Sequence, residues 1–372
     1  DRENIAMSNF WLNKIKKAIL LSKTASGRIA LKRMAMEKVL NATVPLTGIL
    51  NGWSFWKPVI IGIEPTNRCN INCIMCGRRY WDKESNPLGD MPIELFREKI
   101  LPFLYPQQRI VLQGFGEPLL GKSFFEMLKE CKDKECYVQF NTNGLLLKKY
   151  ARRFVEMSVD TVIISIDGIK SFSEIRGIKL DSIIDGVREL NSVKYELKKS
   201  TPSIQFEFVA MEKNVSELLD LVDMAYSLRV GSILVVHAVI HSKKLTDQSL
   251  FNHSEEAQTY FKEALLRAEK KGINIHLLPL TDTVKFCEQP FQLLFVNWNG
   301  EVRPCCSAMI NEKNTLKLGS VKNSSLKSLW NSRQMRQLRM ALLGRGDMPT
   351  FCRRCPMRNI SLESHVRILP KG

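Results

Sequence analysis

Hydrophobic residues recur along this chain with a period that changes twice. Over residues 1–55 the spacing is helical. In FWLNKIKKAIL, Trp11, Leu12, Ile15, Ala18 and Ile19 fall on one side, while Asn13, Lys14, Lys16 and Lys17 fall mostly on the other. A second helical run, RIALKRMAMEKVL, ends before Pro45 and Gly48, and the following NGWSFWKP reads as a linker or an interfacial segment. From about residue 58 short apolar runs alternate with helical ones. VIIGIE (59–64), RIVLQG (109–114), YVQFNT (137–142), TVIISID (161–167), IQFEFVA (204–210) and SILVVHAV (232–239) read as strands. PIELFREKILPFL (92–104), SFFEMLKECK (123–132) and VSELLDLVDMAYSL (215–228) read as helices between them. This alternation predicts an α/β fold with a parallel sheet covered by helices, and six units suit a partial (β/α)6, TIM-like barrel. In such sheets the chemistry collects at the C-terminal strand ends. After about residue 276 the alternation stops. QLLFVNWNGEVRPC reads as a hairpin around Asn299-Gly300, SLKSLWNSRQMRQLRMALL as a helix, and FCRRCPMRN closes a small cysteine-containing unit. The expected organisation is a basic amphipathic helical extension (1–57), a core barrel (58–275) and a second domain (276–372).

Composition changes the picture in one respect. The chain has 372 residues, 44% of them hydrophobic and 25% charged, which is ordinary for a globular protein and excludes disordered and fibrous classes. No run approaches the ~18 apolar residues of a membrane-spanning helix, and the N-terminus lacks the pattern of a signal peptide, so a cytoplasmic protein is expected. The net charge, however, is +17 and uneven. Residues 1–60 hold ten Lys/Arg against three Asp/Glu, and residues 331–372 nine against two, so the basic surface belongs to the two ends. Such ends suit an anionic membrane surface, at which the protein would sit peripherally, or a phosphorylated substrate. Nucleic acid fits the charge, but no binding module is recognisable.

The ten cysteines carry the chemistry. In a reducing compartment clustered cysteines argue for metal or cofactor ligation rather than disulfides. Cys69, Cys73 and Cys76 lie within eight residues in IEPTNRCNINCIMCGRR, directly after the first strand. Iron–sulfur clusters normally take four thiolates, so three would leave one iron open to a cosubstrate. A structural zinc would want a fourth ligand close by, and the nearest histidine is His237.

With this CxxxCxxC spacing the chain resembles the radical SAM superfamily, and further motifs follow in order over about residues 58–240. The resemblance implies a four-iron, four-sulfur cluster on the three cysteines, with S-adenosylmethionine bound at the fourth iron. Reductive cleavage of the cosubstrate would give a 5′-deoxyadenosyl radical that abstracts hydrogen from a substrate, with the electron from a flavodoxin- or ferredoxin-type reductant. Met75 takes the place of the bulky residue packed near the adenine. QGFGEP (113–118) resembles the family's GGEP motif, with Gly116 and Glu117 aligned and Glu117 facing the methionine ammonium. NTNG (141–144), including Asn143, and SIDG (165–168), with Ser165 and Asp167, resemble pocket-lining segments. Arg176 matches an arginine that faces the methionine carboxylate, and Asn214 matches a ribose or adenine contact.

The late cysteines, Cys287, Cys305, Cys352 and Cys355, resemble the C-terminal SPASM/twitch extension of that family. The full SPASM pattern has seven cysteines. Four remain here, which implies the single-cluster twitch arrangement and an auxiliary four-iron, four-sulfur cluster. Four thiolates in two pairs also suit tetrahedral zinc. Cys306 is either an alternative ligand, a hydrogen-atom donor or a buried neighbour, and Cys131 and Cys136 read as structural. His237 and His241 stand near the barrel mouth, where a satisfied core or surface histidine is the commoner outcome. For the substrate, a lipid or lipid-linked, phosphate-bearing molecule follows from the basic amphipathic N-terminus. A ribosomal-peptide maturase and a sugar or aminocyclitol dehydrogenase are the alternative enzymes, and a non-catalytic iron–sulfur scaffold is the alternative to an enzyme.

Overall fold

The structure is a computed structural model that describes residues 47, 50–82, 84, 86–278, 280, 287–305, 316–353 and 355. The helical runs expected before residue 47, and Cys306, lie outside the described residues. All six expected strands form: β1 (Ile60–Ile63), β2 (Arg109–Leu112), β3 (Tyr137–Thr142), β4 (Thr161–Ser165), β5 (Ser203–Ala210) and β6 (Ser232–His237). Four strands follow, β7 (Asn274–Leu277), β8 (Leu293–Val296), β9 (Glu301–Arg303) and β10 (Gly319–Ser320). They make one sheet in the order β10-β9-β8-β1-β2-β3-β4-β5-β6-β7. β8 and β1 to β7 run parallel, and β9 and β10 are antiparallel at one edge. The partial barrel is thus wider than six units. β7 adds a strand to its far edge, and β8 pairs with β1 from Ile60↔Leu293 to Ile63↔Val296. The hairpin therefore continues the barrel's own sheet.

The helices between strands include α1 (Ile93–Leu95), α2 (Phe124–Asp133), α3 (Leu147–Glu156), α4 (Phe172–Arg176), α5 (Leu180–Glu196), α6 (Leu218–Ser227) and α7 (Ser254–Lys271). The run expected as one helix over 92–104 breaks. α1 widens into a π segment, Phe96–Ile100, and ends in a 3-10 turn, Leu101–Phe103. Pro102 has no N–H for the carbonyl four residues back, so regular winding cannot pass it. Later come α8 (Gln289–Gln292), α9 (Leu326–Trp330), α10 (Arg333–Leu342) and α11 (Thr350–Arg353). The expected single helix over 325–343 is two, because the Ser332 hydroxyl caps a new start by accepting from the Met335 N–H.

The core lies between the outer strand faces and the helices. Phe124, Phe140 and Phe154 are fully buried there, with ring centroids 5.3 Å and 4.9 Å apart in sequence. Inside the barrel the alternate residues differ in kind. Val59, Ile60, Val111, Leu293 and Phe295 plug its N-terminal end. The Phe295 ring occupies the space a side chain at Gly62 would need.

Residues 50–57 do not stand off as a linker. The fully buried Arg339 of α10 donates to the carbonyls of Pro290 (2.8 Å), Gly52 (3.0 Å) and Trp330 (2.9 Å) and to Asn331 Oδ1 (3.0 Å), with its guanidinium 4.1 Å from the Trp330 ring centroid. Asn331 exchanges two hydrogen bonds with the Ser54 backbone, and Trp330 Nε1 donates to the Trp56 carbonyl at 2.6 Å. Among the described residues no helix is long and apolar enough to cross a membrane.

Candidate active site

The loops that leave β1 to β4 meet over the C-terminal end of the barrel. The first holds the cysteine triplet, and local hydrogen bonds set its path. The Thr66 hydroxyl donates to the Gly89 carbonyl (2.8 Å), and the Asn67 amide donates to Pro87 and accepts from the Gly89 N–H. Farther along, the Ile74 N–H reaches the Ile175 carbonyl (2.9 Å) and the Tyr80 hydroxyl the Ile74 carbonyl (2.6 Å). Gly116 lies so close to this loop that a Cβ there would collide with the Thr66 and Arg68 carbonyls. Only glycine permits that approach.

Cys69, Cys73 and Cys76 line one cavity of about 260 Å³ with Met75, Gly116, Glu117, Asn143, Ser165 and Arg176. Burial pushes all three thiols up, Cys73 to about 11. Soft sulfur donors gathered in a half-buried apolar setting suit a cluster. Among the described residues no three His, Cys, Asp or Glu side chains converge enough for a single metal ion. A four-iron cluster takes soft thiolates at separate corners, and three thiolates are the donor set gathered here.

Most other expected contacts gather at the same cavity, with Glu117, Asn143 and Arg176 held by hydrogen-bond partners. The buried Glu117 carboxylate accepts from the Asn143 N–H (2.7 Å), the Thr142 hydroxyl (2.8 Å) and the Leu119 N–H (3.2 Å). Burial nonetheless raises its carboxyl to about 7. It thereby ties the β2 loop to the β3 loop. Asn143 Nδ2 in turn donates to Asn70 Oδ1 (2.8 Å) and lies 3.9 Å from Cys69 Sγ. Ser165 ends β4 on the cavity wall.

Asp167 does not line the cavity. It is fully buried behind Arg176, whose Nε and Nη2 reach one carboxylate oxygen at 2.7 Å and 2.5 Å, and its other oxygen accepts from the Val209 N–H (2.7 Å). Its contact is thus with Arg176, which does line the cavity. Asn214 is likewise turned into the protein, accepting from the Met211 N–H (2.7 Å) and donating to the Val209 carbonyl (3.0 Å). His237, buried and 3.0 Å from the Leu278 carbonyl, and His241, packed against Gly77 next to Cys76, both also line the cavity.

Further polar residues on the cavity wall include Arg78, Gln113, Asn141 and Glu207. Asn141 Nδ2 donates to Glu207 at 2.9 Å, and burial raises the Glu207 carboxyl. The signal for Asn141 and Glu207 was present in the strands YVQFNT and IQFEFVA, where polar residues alternate with apolar ones although both faces are covered.

The late cysteines also come together. Burial drives the Cys287 thiol well up, and Cys305, Cys355 and Cys352 are near enough to raise it further. Cys287 and Cys352 pack against Phe291, Leu338 and Leu342. Two thiols in this apolar nest, with Cys305 and Cys355 close enough to act on Cys287, match the ligand set of a second cluster. Cys131 and Cys136 sit apart in the core.

A family model described as the radical SAM superfamily matches residues 63–224, and one described as SPASM, an iron–sulfur cluster-binding domain, matches residues 287–356. Among curated relatives, the tungsten-containing aldehyde ferredoxin oxidoreductase cofactor-modifying protein of Pyrococcus furiosus is 26% identical over 319 residues, covering 80% of this chain and 87% of that protein. A probable GTP 3′,8-cyclase of Methanocaldococcus jannaschii is 26% identical over 255 residues, covering 65% and 83%. Among solved structures, Streptococcus suis SuiB superposes with TM-score 0.61 at 14% identity, covering 84% of this chain and 72% of that one. Native anSMEcpe with bound AdoMet superposes with TM-score 0.57 at 16% identity, covering 80% and 88%. At these identities the structural likeness is one of fold.

Proposed function

Because the chain belongs to the radical SAM superfamily and carries its SPASM extension, we propose that the cavity over the strand ends receives S-adenosylmethionine beside a four-iron, four-sulfur cluster held by Cys69, Cys73 and Cys76. The observation that carries this reading is the convergence of all three cysteines with Arg176, Glu117 and Ser165 on one cavity. A cluster held there would supply the electron, received from an external reductant, for cleavage of the cosubstrate's C5′–S bond and so for hydrogen-atom abstraction from substrate.

The chain's residues prepare that event. Asp167 fixes the Arg176 guanidinium, leaving its remaining donors for the cosubstrate carboxylate. Glu117 keeps one acceptor position for the ammonium, Gly116 lets the backbone come close, Met75 packs near the adenine, and Asn143 and Ser165 supply polar contacts. Cys287, Cys305, Cys352 and Cys355 would hold the auxiliary cluster, and a flavodoxin- or ferredoxin-type protein would be the electron donor.

For the substrate, the reading best supported is a small, polar, phosphate-bearing molecule of the nucleotide or cofactor class. The wall groups Gln113, Asn141 and Glu207 suit hydroxyls and heterocycle edges. The curated relatives named for cofactor modification and GTP cyclisation agree in kind. The lipid reading drew on residues 1–55, most of which lie outside the described residues. SuiB, alike in fold, has been solved bound to its precursor peptide SuiA, which keeps a peptide substrate as the competing reading.

The test is anaerobic reconstitution, reduction and chromatography for 5′-deoxyadenosine. Alanine at Cys69, Cys73 or Cys76 should abolish the product, and its persistence in all three variants would sink the assignment. Mass spectrometry of water-soluble and lipid extracts after turnover then identifies the substrate class. Consumption confined to the lipid extract would return the lipid reading.

A further inference from the structure

The chemistry above uses the C-terminal ends of the strands, and the opposite end carries a surface that it leaves unexplained. Residues 50–57 approach β1 from its N-terminal side and are pinned there by Arg339, Asn331 and Trp330. Arg339 also holds the Pro290 carbonyl just ahead of β8, which places this face at the barrel end away from the cavity. On the fixed backbone Trp53, Phe55 and Trp56 are 44%, 75% and 50% exposed. Large aromatics clustered at the surface commonly mark an interaction site.

Beside them, between Asn51 and α10, runs a groove of about 650 Å³ lined by Arg333, Arg336, Arg345 and Gln337, with Asp347 as its single acid among the described residues. The Arg336 backbone touches Gly52, so aromatics and arginines belong to one face. Arg336 Nε is buried with no hydrogen-bond acceptor among the described residues. Such a guanidinium N–H is matched by a phosphate oxygen. Residues 50–57 contain no acid, and residues 331–372 carry an excess of seven positive charges, nine against two.

We infer that this face docks on an anionic membrane, with lipid phosphates in the arginine groove and Trp53, Phe55 and Trp56 at the boundary of headgroups and acyl chains. Aromatic side chains with both apolar and polar edges settle at that depth, and arginines beside them add electrostatic attraction. Docked in this way, the barrel turns its catalytic mouth away from the bilayer, so substrate enters from the aqueous side. The inference does not depend on which molecule the radical attacks.

The test uses the full chain with vesicles of phosphatidylcholine alone and of phosphatidylcholine mixed with phosphatidylglycerol. Co-sedimentation should occur with the mixed vesicles, fall with added salt, and be negligible with phosphatidylcholine alone. Arg333→Gln with Arg336→Gln should weaken it roughly thirtyfold, at about fivefold per arginine near an anionic surface. Trp53→Ala with Trp56→Ala should weaken it at least about tenfold. Both variants should keep the wild-type melting temperature and yield of 5′-deoxyadenosine, which separates lost docking from lost folding or lost chemistry. Brominated lipid should quench tryptophan fluorescence in the wild type and much less in Trp53→Phe with Trp56→Phe. Equal sedimentation of wild type and variants would overturn the proposal, since binding would then reside elsewhere, as in residues 1–46. So would aromatic variants that lose thermal stability while vesicle binding is unchanged, because the face would then be covered by the chain itself. Stabilisation by inorganic phosphate equal to that by mixed vesicles, or tighter binding to a single-stranded oligonucleotide, would likewise overturn it.

Discussion

At the scale of residues, the cysteine triplet was the most legible part of the candidate site, because its spacing is local and survives any fold around it. Asp167 was not. Ser165 and Asp167 are two apart and would share a face if the strand continued, but β4 ends at Ser165 and the chain turns. Parity fails there, and Asp167 falls behind Arg176 rather than onto the cavity wall. This fixes what each residue should do on substitution. Asp167→Asn leaves Arg176 buried beside a neutral amide, a loss of about 3 kcal/mol in folding stability. Its half-saturating S-adenosylmethionine concentration should rise about tenfold while the limiting rate of 5′-deoxyadenosine formation changes less, since only positioning is lost. Denaturant unfolding and initial rates under anaerobic conditions check both parts. The Asn141–Glu207 pair was readable in principle, because a polar residue on a strand covered on both faces needs an internal partner.

At the scale of elements, strand positions were recovered closely, since apolar runs bounded by breakers have few alternative readings. Terminations were harder: the widened segment after α1 and the break before α10 depend on Pro102 and the Ser332 cap, single residues inside otherwise helical patterns. β7 was missed because four residues, NIHL, offer too short a run to show a period. Two contacts between elements were invisible to any local pattern. Glu64, at the end of β1, accepts from the Phe115 N–H (2.9 Å) and the Trp298 N–H (3.3 Å), joining the β2 loop and the hairpin. Burial raises its carboxyl from 4.5 to about 7. The folded state therefore holds a proton that the unfolded chain has released between those values, so Glu64's contribution is fullest below pH 4.5 and is lost as pH rises through 7. The stability gap between wild type and Glu64→Gln should narrow across that window, by at most roughly 3 kcal/mol, as measured by denaturation at a series of pH values. A gap that widens with pH would refute this placement of the proton. Arg339 is the second contact. Burial lowers its guanidinium to about 9, and its hydrogen-bond partners among the described residues are carbonyl and amide oxygens. Arg339→Ala strands several acceptors at once and should cost about 3 kcal/mol or more, seen as a lower melting temperature and early proteolysis near residue 52.

At the scale of the whole molecule, the fold class and the presence of two cysteine groups were legible, whereas the way the second group joins the barrel was not. Pairing between β1 and β8 depends on residues far apart in sequence, and no periodicity encodes it. The two groups remain chemically separable. Alanine at Cys352 and Cys355 should remove about four iron atoms per chain while leaving the triplet's complement, and alanine at all three triplet positions should do the reverse. Iron counting with Mössbauer spectroscopy reads both, and loss of all iron in either variant would show that the groups do not load independently.

The same β1–β8 pairing sets a timetable for making the protein. β1 lies in the interior of the finished sheet, yet one of its two neighbours is synthesised more than two hundred residues later. Until that partner leaves the ribosome, β1 presents a row of open amides and carbonyls next to the loop bearing the triplet. A nascent chain in this state is exposed both to wrong strand partners and to oxidation of its thiols. Helpers that deliver iron and sulfide would therefore find a settled destination only after translation has passed β8.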